Sequence, residues 1–339
     1  MSSDFGYINA RVRGMKSRLL GPEFYSEALN ASDFKAFLST LAQSPYLKDV
    51  EEAQAQTSGL AVVDVALARN FYRTTRSILD FSDGTPHDLI ALLLLRFDLS
   101  NLKAIARAKH AGREEGDIRA ALMPAGELKP GLLEALAGAS DIPAVAQALA
   151  PTRHPLAAAF SRAASRYASD GDLYGFELAL DRAYYAITLE VLERLGADEA
   201  LKRHIEREID AVNLRTAMKL RGRGGVADEF FIPGGREIAK ASFEAMLQSE
   251  GQAALQEAVS GTSFAAVADT DSVSAAEAAI REVLDKSAKR LALRDPLGIG
   301  VVLHYLRQKE AETARLRLLA RGKFYGVERG ALERELGHA

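Results

Sequence analysis

Cysteine is missing from the chain altogether. That absence excludes disulfides, thiol catalysis and cysteine-ligated zinc, and it fits a reducing compartment. Long apolar runs are missing too. The longest, residues 89–95, stops at Arg96, far short of the roughly 18 residues that span a bilayer, so any membrane role is expected to be peripheral. The opening MSSDFGYINARVRG has no apolar segment before a small-residue cleavage site, and no signal peptide is expected. No one sign of charge dominates. The net charge of −3 speaks against a dedicated nucleic-acid binder, whose footprint is basic.

Catalytic signatures are equally scarce. The histidines are His87, His110, His154, His204, His304 and His338. None stands four residues from another or in an HExxH frame, so they read as surface or core side chains rather than zinc ligands. The glycine-rich RGRGGV at 221–226 opens no βαβ unit and is not a phosphate loop. No GxSxG occurs. Pairs such as Glu206/Asp210 and Glu333/Glu335 read as ordinary helix-surface charges. No catalytic residue, cofactor, metal site or small-molecule substrate is expected.

What the chain has is helix formers. Ala, Leu, Glu, Arg and Lys dominate, the ten prolines fall mostly between periodic segments, and long β-branched alternation is absent, so the expected class is all-α. The doubtful segment is GGVADEFFIPGG at 224–235, where glycines and Pro233 mark turns around a short extended piece.

The chain also repeats itself. FDLSNLKAIARAK at 97–109 returns as IDAVNLRTAMKLR at 209–221, and more weakly as ETARLRLLARGK from Glu312. An acid (Asp98, Asp210, Glu312) is followed at +3 to +5 by a polar residue, Leu and a base; bases recur at +9 and +11. The chain has five Asn, and Asn101 and Asn213 occupy the same slot. A second marker, ALARNFY from Ala66, ALDRAYY from Ala179 and AIREVLD from Ala279, precedes each acid by 31 to 33 residues. A third, EALNASD from Glu27 and EALAGASD from Glu134, reads as two short helices around a Ser-Asp turn that caps the second. The spacing divides the chain into helical repeats at 1–115, 116–226 and 227–339. Each should carry two long helices, the second running from about Asp88 to His110 in the first repeat. Gly112, Gly222 and Gly322 should close its basic end.

On that second helix Arg96, Ser100, Lys103 and Arg107 share a stripe, as do Arg215, Lys219 and Arg223, and Arg317 and Arg321. One reading is a solvated face whose bases suit the helix dipole. The other is a ring of similar basic stripes facing a shared partner. Lys103, Arg107, Arg215, Lys219, Arg317 and Arg321 are the partner-binding candidates. Asp98 and Asp210 with their Asn read first as a hydrogen-bonding pair that fixes how the helix docks. A second basic element, Arg11, Arg13, Lys16 and Arg18, suits anionic lipid or another protein's loops, or is a plain amphipathic helix.

Together YINARVRGMKSRLL, the two Asp-x-x-Asn segments, FFIPGG and DPLGIGVVLHYLRQKEAETARLRLLARGKFYG resemble the C subunit of archaeal and bacterial V/A-type ATPases, related to the d subunit of the vacuolar ATPase. The resemblance covers residues 5–325. It implies three similar helical domains in a pseudo-threefold funnel with a central cavity. It further implies a central-stalk socket at the cytoplasmic face of the membrane. There the protein receives the shaft, sits on the proteolipid rotor ring and passes torque for ion transport coupled to ATP hydrolysis or synthesis, with no active site of its own. Arg315 departs from the pattern, standing where the other copies have Asn. Two other readings stay open on the residues: a non-rotary helical scaffold for protein or membrane-surface partners, and an all-α enzyme. A central cavity large enough for a coiled coil would favour the socket. A deep polar cavity with perturbed acids would favour the enzyme.

Overall fold

A computed structural model of the chain describes residues 5–222, 226–249 and 251–338. Among them it contains α-helices, two short 3₁₀ segments and no strand. After α1 (Gly6–Lys16), the first repeat holds α2 (Pro22–Asn30), α3 (Phe34–Ala42), α4 (Leu47–Gln54), α5 (Leu60–Asp80) and α6 (Gly84–His110). The second holds α7 (Glu115–Ala121), α8 (Pro130–Ala137), α9 (Ile142–Leu149), α10 (Ala157–Asp170), α11 (Leu173–Arg194) and α12 (Glu199–Leu220). The third holds α13 (Ala227–Phe230), α14 (Lys240–Gln248), α15 (Gln252–Val259), a 3₁₀ turn (Ala265–Asp269), α16 (Val273–Arg294) and α17 (Gly300–Phe324); α18 (Arg329–His338) ends the chain.

Local chemistry accounts for several boundaries. Asp33 and Asp141, in the two Ser-Asp turns, each accept a hydrogen bond at 2.8 Å from the amide three residues on, of Ala36 and Ala144, and so cap α3 and α9. Gly112 and Gly222 adopt positive φ past α6 and α12. Gly322 does not: it lies inside α17 against Leu332, and Gly326 takes the left-handed position instead. The sequence places the stop four residues early because the glycine there serves helix–helix contact, not capping. α6 likewise starts four residues before Asp88. The segment expected to be extended holds the helical turn α13 and an irregular loop; Arg223, Gly224 and Gly225 lie outside the described residues.

Packing crosses the repeats. α6 lies against α7, α8, α9 and α11; α12 lies against α14 and α16; α17 lies against α3 and α5. Each motif helix thus joins the short helices and first long helix of the next repeat, and the last joins the first. The hydrophobic clusters follow this order. Leu316, Leu319 and Ala320 of α17 pack with Phe37, Leu41 and Leu67. Ala211, Leu214 and Ala217 of α12 pack with Phe243, Met246 and Ile280. α6 is surrounded, so Leu89, Ile90, Leu92, Leu93, Leu94 and Leu95 are buried around its whole circumference. The run too short for a bilayer is the central strut of the protein's own core.

α16 and α17 cross closely enough that a Cβ on Gly300 would stand 2.6 Å from the Leu291 carbonyl carbon and 2.7 Å from the Ala292 nitrogen. Gly300→Ala should therefore cost about 1–3 kcal/mol of overpacking. Gly14→Ala, in open space on α1, should gain about 0.5–1 kcal/mol through the unfolded chain. Thermal denaturation of the two variants should move in opposite directions.

Candidate functional site

The repeated acid and Asn are structural clamps. Asp98 is fully buried and accepts from the backbone amides of Glu127 (2.8 Å) and Leu128 (3.2 Å), with His154 Nε2 at 3.1 Å. Asn101 closes both hydrogen bonds of its amide on Met123, donating to its carbonyl (2.9 Å) and accepting from its N–H (2.8 Å). The second copy repeats the geometry. Asp210 accepts from the amides of Arg236 (3.0 Å), Glu237 (2.9 Å) and Ile238 (3.1 Å), and Asn213 makes both bonds, each 2.8 Å, to Ile232. Burial pushes the Asp210 carboxyl above its ordinary range while those three donors pull it down. A Cβ on Gly126 or Gly235 would overlap the clamped carboxylate, which explains a glycine in each loop.

The third copy closes on the chain's other end. Glu312 accepts from the Leu20 amide at 2.5 Å and from the Tyr46 hydroxyl at 2.8 Å, and Lys309 bridges the same pair. Leu20, Leu128 and Ile238 each stand two residues before a short helix (α2, α8 and α14), so the three clamps grip equivalent loops. Arg315, in the Asn slot, lies over the Tyr25 ring at 5.9 Å.

The basic stripes meet acids that the motif spacing does not reveal. Lys103 Nζ donates to Asp181 at 2.7 and 2.8 Å and stands 3.6 Å from Glu177. Arg215 Nε bonds Glu277 at 2.6 Å, and Arg317 Nε stands 3.3 Å from Asp64. Glu177, Glu277 and Asp64 all sit two residues before the second marker (Ala179, Ala279, Ala66), and that shared offset is the signal that would have found them. Arg107 also pairs with Glu177 (2.5 Å) and Arg321 with Asp64 (3.9 Å), yet these side chains stay 58% and 57% exposed, so their charge still faces solvent. Lys219 is exposed, at the edge of a recess shared with Glu277.

One position from each repeat comes together. Arg96, Glu208 and Glu310, each two residues before a clamp acid, line a single open cavity of about 620 Å³ between α6, α11, α12, α16 and α17. Leu99, Val212, Ala314 and Leu318 supply apolar wall. At a helix diameter of about 10 Å, the volume holds about one and a half turns of a single helix, less than the coiled coil expected. Charges of both signs are paired at its rim: Arg96 with Glu310 (2.6 Å), Arg307 with Asp285 (2.6 Å) and Glu208 (3.5 Å). Burial alone would raise the Glu208 pKa, but His204, Arg96 and Arg307 outweigh it and hold the value at about 2.

Two measurements follow from these contacts. Asn213→Ala strands the buried N–H and C=O of Ile232 and should cost about 2–4 kcal/mol, read by denaturant unfolding. The depressed Glu208 pKa implies stability that is present above the ordinary value of 4.5 and is lost as pH falls towards about 2. Glu208→Gln should be less stable than wild type by about 3 kcal/mol at neutral pH, and the gap should shrink between pH 5 and pH 2.

Among the described residues no helix is long and apolar enough to cross a membrane. The family described as ATP synthase (C/AC39) subunit matches residues 8–335. The C subunit of the V-type ATP synthase of Deinococcus radiodurans is 35% identical over 99% of this chain and 92% of its own length. That of Thermus thermophilus is 36% identical over 99% of both chains. The C subunit of the A-type ATP synthase of Haloferax volcanii is 30% identical over 97% of this chain and 96% of its own. With nearly the whole length aligned, the repeated clamps fall inside the matched region, and the chain belongs to the ATP synthase (C/AC39) subunit family.

Proposed function

We propose that this chain is the central-stalk socket of a rotary V/A-type ATPase. In this reading the repeats 1–115, 116–226 and 227–339 form three similar helical domains in a funnel about a pseudo-threefold axis. The funnel receives the tip of the shaft, rests on the proteolipid ring at the cytoplasmic face of the membrane, and carries torque between them. The observation that carries the reading is the convergence of Arg96, Glu208 and Glu310, one position of three repeats, on one cavity. The cavity size suits a single helix end. A general acid or base needs a pKa near the working pH, and Glu208 is held at about 2 by paired charges, which supports a non-catalytic part.

The six basic candidates divide within this reading. Lys103, Arg215 and Arg317 tie each motif helix to its neighbour across the wall. Arg107, Lys219 and Arg321, exposed at the basic ends, are assigned to partner contact, where rim charges tune assembly and its salt dependence.

A pull-down with shaft subunits and the detergent-solubilised ring tests both assignments. Ala314 is exposed on the cavity wall, so Ala314→Trp fills the well; it should lose the shaft and keep the ring. The double reversal Lys219→Glu/Arg321→Glu should weaken assembly at moderate salt with helicity unchanged. Shaft retention by Ala314→Trp equal to wild type would remove the socket.

A further inference from the structure

The basic segment at the N-terminus is absorbed neither by the clamps nor by the cavity. Ile8, Asn9 and Val12 of α1 point inward, while Tyr7, Arg11, Arg13 and Lys16, with Arg18 just beyond, are exposed. None of these four bases makes an ion pair among the described residues, and no acid lies between Phe5 and Leu20. The motif bases spend much of their charge on neighbouring helices; these do not.

Their surroundings extend the pattern. Asn9 Nδ2 donates to the Gly298 carbonyl at 3.0 Å, and Arg13 to the Pro296 carbonyl at 2.7 Å, so α1 is fastened to the loop between α16 and α17. That end of α16 exposes Lys289 and Arg290 together with two leucines, Leu293 at 70% and, in the loop, Leu297 at 61%. His304 sits among these cations: burial lowers its pKa first, and Lys16 and Lys289 both add to the shift. Acids at this end are turned elsewhere or outnumbered. Asp285 is held by Arg307 at 2.6 Å, Asp198 stands 3.8 Å from Arg294, and Asp295 accepts from the Leu297 amide at 3.0 Å. Asp80 and Asp83 remain exposed beside Phe81, at the same end of α5, where the four bases of α1 outnumber them.

Between α1 and α5 lies a recess of about 300 Å³ with no acid in its lining. Arg11 and Arg18 flank it, Met15 and Phe81 supply apolar wall, and Ser77 supplies a hydroxyl. Arg11 lies over the Phe81 ring at 5.2 Å, and Tyr7 meets that ring edge-on at 6.2 Å. Unpaired bases over an apolar floor, with exposed leucines and a tyrosine alongside, match the water–lipid boundary, where cations meet phosphates and short apolar groups enter between headgroups.

We propose that the exposed face of α1, with the adjoining end of α16, docks on an anionic membrane surface, a lipid phosphate entering the recess between Arg11 and Arg18. The acid-free recess between two arginines favours a phosphate, Leu293 and Leu297 would enter between headgroups, and the family's complexes act at a membrane. The inference stands apart from the socket reading, because it concerns the isolated chain and needs neither shaft nor ring.

Flotation of the full chain with phosphatidylcholine vesicles, against the same vesicles containing phosphatidylglycerol, tests it. Binding should require phosphatidylglycerol and be released by salt. Arg11→Gln/Lys16→Gln/Arg18→Gln should weaken partition on the order of a hundredfold, from about fivefold per cation at an anionic surface. Lys35→Gln, exposed beside Phe34, which meets Phe324 at the opposite end of α17, should leave it unchanged. Should the triple variant melt early, Arg11→Gln alone should still show about fivefold. Equal flotation with both vesicle types, equal flotation of variant and wild type, or loss in the variant only of detergent-solubilised ring binding would each overturn the proposal. A failed shaft pull-down with intact flotation would strike the socket alone.

Discussion

A buried carboxylate closing on the backbone of a loop that enters the next group of helices is the contact on which the architecture rests. A chain crossing between packed units carries N–H and C=O groups that burial would strand. Here the motif helix supplies partners from side chains: an acid for one to three amides and, in the first two copies, an Asn for one N–H and one C=O. The same bonds compensate the acid for its desolvation. Loop and carboxylate are therefore mutually required, and a glycine lets them approach.

The closing joint differs because its partner is the beginning of the chain. Leu20 and Glu312 are 292 residues apart in sequence, and no connecting loop holds them together. The joint adds charge and reach: Lys309 is buried with its pKa lowered chiefly by desolvation, and it bridges Glu312 and the Tyr46 hydroxyl. Lys323 of α17 then donates to the Leu29 and Ala31 carbonyls at the end of α2. The seam is the most polar of the three joints, and the apolar contacts of Leu316 and Leu319 with the first repeat back it.

Under the socket reading proposed above, a part that transmits force must resist shear between its helices. Handing each motif helix forward to the next repeat means that no unit can rotate without disturbing its neighbours. The ion pairs of Lys103, Arg215 and Arg317 lie along the same walls. Most are partly exposed and worth little singly; their repetition at one offset gives registry more than energy. The cavity combines these paired charges with a short apolar wall, a surface on which a helix end can seat without an obligate hydrophobic contact.

Much was determined by the sequence alone. Periodicity and composition gave the helical class, and spacing revealed three copies of one unit because side-chain identities at matched positions survive in the chain's order. Asp98 and Asp210 were legible as docking residues, since Asn recurs at a fixed offset in a chain with little Asn. The tertiary structure alone decided which loop each clamp grips, that Gly322 packs instead of capping, and that half of the basic stripe is spent on Asp181, Glu277 and Asp64. Those facts depend on pairings between helices separated by tens to hundreds of residues. A helix pattern states which face is polar, but not whether water, an acid or a partner will meet it.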